Sequence, residues 1–242
     1  MSKTNNFICC AINGLLLKLL VFIAKMEYNS LEESAELTSS SVTRLMAFPI
    51  DRYLIYENDI DAPIEKLFQG ELLLDYNIEY YSNLKNSLKT DLTLNEFINI
   101  YSFTRTLPKD RLVEKVLSST YIEKPNLLDE ELMDLTFDSQ LSRERMNIAI
   151  LNGTSISGVA SYGSRVIKNM GGRVVAVGNT NNDYEDTVLI TNSPTAESTK
   201  LLKKIFKIEN VLLDSEAHNF RESEIDRADI TIIFGLDFAK SL

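Results

Sequence analysis

Tryptophan is absent from this chain of 242 residues, and histidine occurs only once, as His218. A hydrolytic triad uses an imidazole as its general base, so one histidine leaves little room for such a site. His218 stands among polar residues after an apolar run, and we expect it on a surface loop rather than in a catalytic role. The sequence therefore predicts no catalytic residue.

Cysteine is limited to Cys9 and Cys10, which are adjacent and lie in an apolar segment. Neighbouring cysteines rarely bond to each other, so we predict no disulfide and no thiolate metal site in the folded part. The acidic cluster at residues 183–186 lacks the alternating ligands and the central glycine of a calcium loop, which favours a solvated turn over a cation site. No metal and no cofactor is predicted.

Positively charged residues are also scarce. The chain has 25 Lys and Arg against 35 Asp and Glu, and its formal net charge is −10. A nucleic-acid backbone requires clustered Lys and Arg, so this balance argues against a nucleic-acid partner. Hydrophobic residues make up 44% of the chain. That content is enough for the core of one large domain or of two small ones.

The most informative segment is residues 146–179, whose pattern predicts a strand, a glycine turn, a helix, a glycine stop and a second strand. Residues 148–151 form an apolar run that ends at Asn152 and Gly153, as a buried strand does where it leaves a sheet. Apolar residues then recur at helical spacing until Gly171 and Gly172 end the helix. The apolar face of that helix consists of Val159, Tyr162, Val166, Ile167 and Met170.

A strand that enters a glycine turn and a helix suggests phosphate binding, but the spacing here disagrees. The phosphate loop of nucleotide hydrolases needs Lys and then Ser or Thr after its last glycine, whereas Gly158 is followed by Val159 and Ala160. The dinucleotide fingerprint needs three closely spaced glycines, which this turn does not have. A helix amino terminus can still attract an anion. The candidate binding turn consists of Asn152, Gly153, Thr154 and Gly158.

Further strands are predicted at residues 187–191, 211–213 and 230–234, with a second helix that begins at Pro194. The order of elements is then βαββαββ, which is typical of a split βαβ arrangement with both helices on one face of a mixed sheet. We predict an α/β (α+β) fold, in which a small α/β region and an N-terminal hydrophobic helix precede this domain.

Several separated motifs in residues 146–242 occur in the order in which a known domain has them. They are Asn152-Gly153-Thr154, Gly158-Val159-Ala160, Gly171, Val177-Gly178-Asn179, Tyr184 with Thr187-Val188, and Ile232-Ile233-Phe234-Gly235 with Asp237. This pattern resembles the LytR C-terminal domain of the LytR-CpsA-Psr family of bacterial cell-envelope proteins. The resemblance implies a place at the cell envelope and implies no reaction, since the domain family has no established catalytic residues.

The apolar segment from Phe7 to Ala24 is interrupted only by Asn13, Gly14 and Lys18. As a helix it would be close to the minimum length for crossing a hydrocarbon layer of about 30 Å. Lys18 costs about 2.5–3.5 kcal/mol near the middle of such a helix. We predict a cytoplasmic stub and a single-pass membrane-anchor helix at residues 1–26, with the later domains outside the cytoplasm. An amphipathic or buried amino-terminal helix is the alternative.

Between the anchor and the C-terminal domain we predict a spacer at residues 27–43, a folded region at residues 44–119 and a linker at residues 120–145. Within the linker, residues 127–135 can form a short helix. The folded region has a strand pattern at residues 52–57 and a helix start in which Thr93 and Glu96 form a capping box.

Residues 48–51 and 89–93 are similar to segments of the catalytic LytR-CpsA-Psr domain. That domain binds a polyprenyl pyrophosphate through several arginines, which neutralise the two phosphates beside a magnesium ion. Residues 70–80 contain acids and no arginine here. We therefore predict a shortened, non-catalytic relative. The arginines of this region are scattered, at Arg44, Arg52, Arg105 and Arg111.

Together these patterns predict a membrane-anchored, non-enzymatic cell-envelope protein whose terminal domain binds a cell-wall glycan or an envelope protein. Two alternatives stay open. One is a residual phosphotransferase that attaches glycopolymers to the cell wall and depends on Arg52 or Arg105. The other is a soluble cytoplasmic binding domain, in which the apolar amino terminus is a core helix.

Overall fold

The chain forms two compact units, the first from Met1–Ser41 and Ile50–Glu123, and the second from Val42–Pro49 and Lys124–Leu242. The second is called the C-terminal unit below. A computed structural model describes residues 7–13, 18–24, 43–48, 54–56, 88–90, 93, 95–96, 99, 112–117, 124–217, 219–220 and 222–242.

The described residues of the first unit include two small antiparallel sheets. In one, β1 (Phe7–Asn13) pairs with β2 (Lys18–Ala24) on one side and with β5 (Leu112–Leu117) on the other. In the other, β3 (Leu54–Tyr56) pairs with β4 (Leu88–Thr90). The strand predicted at residues 52–57 is thus confirmed in its central part.

The helix predicted for residues 7–24 is wrong, because these residues form the two antiparallel strands β1 and β2. The two strands have seven residues each, which is a usual strand length, and Asn13 at the end of β1 pairs with Lys18 at the start of β2. Glycine in the middle of a helix also costs stability. Among the described residues, no helix has both the length and the apolar composition needed to span a membrane.

The predicted capping box in the first unit is confirmed. The Thr93 amide donates to Glu96 Oε2 at 2.8 Å, and the Glu96 amide donates to Thr93 Oγ1 at 3.3 Å. Each side chain therefore satisfies a backbone amide of the other residue, as the sequence pattern predicts. The pair consequently marks the start of a helical turn at Asn95 and Glu96.

The C-terminal unit begins with two helices, α1 (Pro125–Thr136) and α2 (Ser139–Glu144), in the region predicted to be a linker. Pro125 occupies the first turn of α1, where a missing amide costs nothing. The remaining elements are β6 (Asn147–Asn152), α3 (Val159–Asn169), β7 (Arg173–Asn179), β8 (Val188–Thr191), α4 (Glu197–Ile205), β9 (Asn210–Leu212), a 3₁₀ turn (Asp214–Glu216), β10 (Ile230–Phe234) and α5 (Leu236–Ser241).

Five strands of this unit form one mixed sheet in the order β7-β6-β10-β8-β9. Strands β7 and β10 are parallel to β6, β8 is antiparallel to β10, and β9 is parallel to β8. The predicted order βαββαββ is confirmed from β6 to β10, and α5 follows it. Because β6, β7 and β10 run in the same direction, their carboxyl ends meet at one edge of the sheet. We call it the carboxyl edge.

Helices α3 and α4 pack on one face of the sheet, as predicted. The main core contains Val166 and Ile167 of α3, Leu202 of α4, and alternate strand residues such as Ile148 and Ile150. Phe234 at the end of β10 is fully buried in this core, where its ring stacks on Phe238 and meets Phe206 edge to face. Gly163 of α3 allows close approach here, since a Cβ atom on it would lie 2.7 Å from Phe234 Cζ.

The opposite face of the sheet carries a smaller core. Leu151, Val188, Ile190 and Ile233 point to this side, and Ala217 and Ile225 of the segment between β9 and β10 cover them. These residues alternate with those of the main core along β6, β8 and β10, which is the two-residue period of a strand buried on both faces. The sheet is therefore the middle layer of the C-terminal unit.

The amino terminus of α4 is capped from another helix, by Glu144 at the end of α2. Its carboxylate accepts hydrogen bonds from the Glu197 amide at 3.1 Å and the Ser198 amide at 2.8 Å. Hydrogen bonds from Ser198 hold the pKa of Glu144 below its ordinary value of 4.5. A carboxylate at this position neutralises orphan amides and the positive end of the helix dipole.

Replacing Glu144 with glutamine is expected to lower the free energy of unfolding by about 0.5–1 kcal/mol at pH 7, a modest value because the site is exposed. The folded-state pKa is depressed, so the carboxylate's contribution is complete above pH 4.5 and is lost as the pH falls below it. Urea unfolding followed by circular dichroism, at pH 7 and again below pH 4.5, measures the free energy of unfolding of the Glu144→Gln and unmodified proteins. Glu130→Gln removes an exposed charge from α1 without touching a helix end, and an equal effect of the two changes would contradict the capping role.

Candidate functional site

The candidate binding turn follows β6 at the carboxyl edge of the sheet. Asn152 organises it, because its Oδ1 accepts from the Thr154 amide at 3.2 Å and from Thr154 Oγ1 at 2.9 Å. Its Nδ2 donates to the Ile156 carbonyl at 2.9 Å, and the Ile156 amide donates to Thr154 Oγ1 at 3.1 Å. The side chains of Asn152 and Thr154 therefore shape the turn from within.

Gly153 lies where the chain passes the end of β10. Its amide donates to the Phe234 carbonyl at 2.9 Å, and its carbonyl accepts from the Tyr184 amide at 2.7 Å. A Cβ atom at this position would lie 2.8 Å from Tyr184 Cδ2 and 2.9 Å from the Phe234 carbonyl oxygen. The glycine is needed for this close approach, and its amide is already engaged within the protein.

Residues 184–187 run across the ends of β6 and β10, and we call them the crossing segment. The Leu236 amide donates to the Tyr184 carbonyl and the Asp237 amide to the Glu185 carbonyl, both at 3.0 Å. In open α/β sheets, ligands usually bind in the crevice outside the carboxyl ends of the strands. Here the crossing segment is hydrogen-bonded to the residues that follow β6 and β10, so the candidate ligand surface is the one beside it.

The Gly235-Leu236-Asp237 motif holds the crossing segment in place. The carboxylate of Asp237 accepts from the Thr187 amide at 3.0 Å and from Thr187 Oγ1 at 2.6 Å. A Cβ atom on Gly235 would lie 2.7 Å from the carbonyl oxygens of Glu185 and Asp186. The sequence motif consequently has a structural explanation. Gly235 allows the close approach of two backbone segments, and the Asp237 carboxylate holds Thr187 by hydrogen bonds.

Gly158 precedes α3 with a φ of 89°, a left-handed conformation that glycine adopts without strain, and no side chain caps the helix there. Beside it lies a shallow cavity of about 200 Å³ between the start of α3 and the end of β7. Its lining consists of Asn152, Gly158, Ala160, Ser161, Val177, Gly178 and Asn179. Drug-sized ligands usually occupy about 300–1,000 Å³. The cavity therefore suits one small group of a larger ligand.

Neutral polar side chains lie beside this cavity on the carboxyl edge, together with the exposed apolar side chains of Ile156 and Val177. Glu222, which is 6% exposed, fixes the loop after β7 by accepting from the amide and from Nδ2 of Asn181, at 3.0 and 3.1 Å. Six exposed side chains of this part carry hydroxyl or amide groups, which can both donate and accept hydrogen bonds. They are Ser155, Ser157, Ser161, Asn179, Asn181 and Asn182. We call this set with the cavity the carboxyl-edge surface.

An aromatic pair borders the carboxyl-edge surface. The rings of Tyr184 and Phe220 stack with centroids 5.3 Å apart and an angle of 21° between their planes. Burial raises the pKa of Tyr184, the negative charge of Glu222 adds to that increase, and Asn182 opposes it through a hydrogen bond. The tyrosine hydroxyl therefore stays protonated at neutral pH and acts as a hydrogen-bonding group.

The sequence placed the four residues of the candidate turn together, and the structure shows hydrogen bonds between Asn152 and Thr154 within it. Binding at this turn stays a prediction. Sequence reasoning missed the Tyr184–Phe220 pair and the role of Glu222, although the run of polar residues at 179–182 after a strand was a usable signal. His218, Arg52, Arg105 and Arg111 lie outside the described residues. Among the described residues, no group of three His, Cys, Asp or Glu side chains could hold a metal ion.

Comparison with known proteins supports the resemblance for the C-terminal unit. Residues 145–238 match the family model LytR_C, described as LytR cell envelope-related transcriptional attenuator. This match begins after the region at residues 44–119, so it gives no support to the predicted LytR-CpsA-Psr-like part there. No curated protein and no solved structure matches the chain.

Proposed function

We propose that this protein is a non-enzymatic component of the cell envelope and that its C-terminal unit binds a cell-wall glycan at the carboxyl-edge surface. The family match at residues 145–238 is the observation that carries the envelope assignment, because its description names the cell envelope. The proposal that this unit binds a glycan is supported by the position of the carboxyl-edge surface and by the chemistry of its side chains.

Three properties of the carboxyl-edge surface favour a glycan as the ligand. Six of its exposed side chains carry neutral hydroxyl or amide groups, which match the hydroxyl and amide groups of a sugar polymer. Its cavity of about 200 Å³ can take one substituent while the rest of a polymer lies along the surface. The net charge of −10 disfavours a phosphate-rich polymer, because like charges repel.

Membrane association is the second part of the proposal, with the C-terminal unit outside the cytoplasm. The apolar composition of residues 7–24, which form the paired strands β1 and β2, supports it. Cell fractionation tests this part alone. We expect the full chain in the membrane fraction until detergent is added, and recovery in the soluble fraction without detergent would support the cytoplasmic alternative instead.

A sedimentation assay with purified peptidoglycan tests the binding part. We expect the full chain to be retained at low salt, and Ser155→Glu to reduce the retained fraction at least about fivefold, because it places a charge on the polar surface. Ser139→Glu adds the same exposed group on α2, outside the carboxyl-edge surface, and should leave retention unchanged.

Two results would contradict glycan binding. One is no retention of the unmodified chain at low salt, which would direct attention to an envelope protein as the partner. The other is equal retention of the Ser155→Glu and unmodified chains, which would place binding elsewhere on the molecule. Magnesium-dependent turnover of a polyprenyl-linked glycopolymer would support the phosphotransferase alternative.

A further inference from the structure

Residues 43–48 lie in the C-terminal unit although at least 75 residues separate them from α1 in the chain. Met46 is 1% exposed and Ala47 is fully buried, and Ala47 belongs to the same core as α3 and β6. A short segment that buries two neighbouring side chains is held more firmly than a surface loop, because removing apolar area from water is favourable. The segment is therefore part of the packed structure.

The contact of residues 43–48 with α3 centres on Arg165. The Arg165 guanidinium donates to the Leu45 carbonyl at 2.7 Å and to the Arg44 carbonyl at 3.3 Å. The same group donates to the Pro125 carbonyl at 3.4 Å, at the start of α1. One side chain thus binds the backbone on both sides of the stretch from residue 50 to residue 123.

Asp129 of α1 orients this guanidinium. Its two carboxylate oxygens accept from Arg165 Nε at 2.6 Å and from Arg165 Nη2 at 2.7 Å, in a two-point pair whose side chains are only 22% and 16% exposed. Asn169, one turn further along α3, donates to the same carboxylate at 2.9 Å. Paired donors in a fixed plane make arginine suited to this role, and lysine cannot reproduce that geometry.

We propose that residues 43–48 act as an intramolecular ligand of the C-terminal unit and that the Arg165–Asp129 pair is their binding site. The domain is then discontinuous in sequence, and residues 50–123 are an insertion between its two parts. Arg165 lies within the segment 145–238 that matches the family model, while Asp129 and residues 43–48 lie outside it. The site is thus an addition of this chain to the matched domain.

Limited trypsin digestion of the full chain tests this proposal directly. Trypsin cleaves after Arg44, and the carbonyl of that bond is one that Arg165 holds. Proteolysis requires local opening, so we expect slow cleavage at Arg44 in the unmodified protein. In Arg165→Gln this cleavage should become at least about tenfold faster. Losing one hydrogen bond to a charged group raises the equilibrium constant for local opening by about that factor.

Controls in the same digest separate local release from unfolding. Cleavage after Arg173, inside β7, should keep its original rate as long as the sheet is intact. Arg143→Gln removes an arginine whose recorded hydrogen bonds go to Ser139 of its own helix, and it should leave cleavage at Arg44 unchanged. Mass spectrometry of the fragments gives both rates.

An unchanged rate at Arg44 in Arg165→Gln would overturn the proposal. Where Arg165→Gln accelerates cleavage at Arg44 and Arg173 equally, Arg165→Lys decides, because lysine keeps the positive charge beside Asp129 but loses the two-point geometry. Faster cleavage at Arg44 alone in that variant supports the proposal. Equal acceleration at both sites in both variants would contradict it, since residues 43–48 would then be an inseparable part of the core.

Discussion

Replacing Phe234 with alanine is expected to lower the free energy of unfolding of the C-terminal unit by about 3–5 kcal/mol. Phe234 is fully buried at the end of β10, with Phe206, Phe238 and Gly163 around its ring. Alanine leaves a cavity there, because rings packed this closely cannot all move in to fill it. Chemical unfolding followed by circular dichroism measures the loss, and tyrosine fluorescence provides a second probe in a chain without tryptophan.

The matched control for Phe234 is Phe137→Ala, which removes the same ring from a position that is 38% exposed. Partial exposure lowers the apolar area lost, so the expected cost is a fraction of that at Phe234. Protein domains are stable by about 5–15 kcal/mol, so the change at Phe234 brings the domain near its unfolding limit. Similar costs for the two substitutions would contradict the central position given to Phe234.

Replacing Gly235 with alanine is the second change with a large expected effect, about 2–3 kcal/mol or more. The new Cβ atom would lie 2.7 Å from two backbone carbonyl oxygens of the crossing segment. Backbone atoms cannot turn aside as a flexible side chain can, so the crossing segment must move. That movement breaks the hydrogen bonds from Leu236 and Asp237 to Tyr184 and Glu185.

Gly178→Ala is the control for Gly235, because a Cβ atom there meets only Leu151 Cδ2 at an ordinary distance of 3.5 Å. Its expected cost lies within about 1 kcal/mol of zero. Hydrogen exchange adds a local readout, since the Tyr184 amide should lose protection in Gly235→Ala before the amides of β6 do. A Gly235→Ala protein with unchanged stability would show that the crossing segment is loosely held.

Much of the C-terminal unit was predictable because its sequence signals are local. Residues 230–234 were predicted as a strand and form β10, and the glycines at 171 and 172 end α3 where the sequence indicated. The second helix begins at Glu197, three residues after the predicted start at Pro194. Apolar periodicity and glycine placement therefore predict the presence of helices and strands reliably, and they predict the end residues of these elements less accurately.

The apolar run at residues 7–24 shows where such signals fail. Hydrophobicity alone does not separate a helix from two strands, since both structures bury apolar side chains. Asn13 and Lys18, which pair at the facing ends of β1 and β2, and Gly14 after Asn13 interrupt the apolar run, and the helix prediction treated all three as tolerable interruptions. The pairing of β1 with β5 could not be predicted, because about 100 residues separate them in the chain.

The Arg165 site was also beyond reach of local pattern reasoning. Residues 43–48 have no period that links them to α3, and the contacts span 120 residues for Leu45 and 36 for Asp129. One clue existed in the helix itself. Arg165 and Asn169 are four residues apart beside the apolar face, so their side chains lie on the same side of α3 and can share one polar partner.

The discontinuity of the C-terminal unit has a consequence for its assembly on the ribosome. Leu45 is synthesised 120 residues before Arg165, the side chain that binds its carbonyl. At about 5–20 residues per second, residues 43–48 wait roughly 6–24 s for their binding site. During that interval Met46 and Ala47 have no core to enter. The unit can close only after α3 has emerged, so it completes late in synthesis.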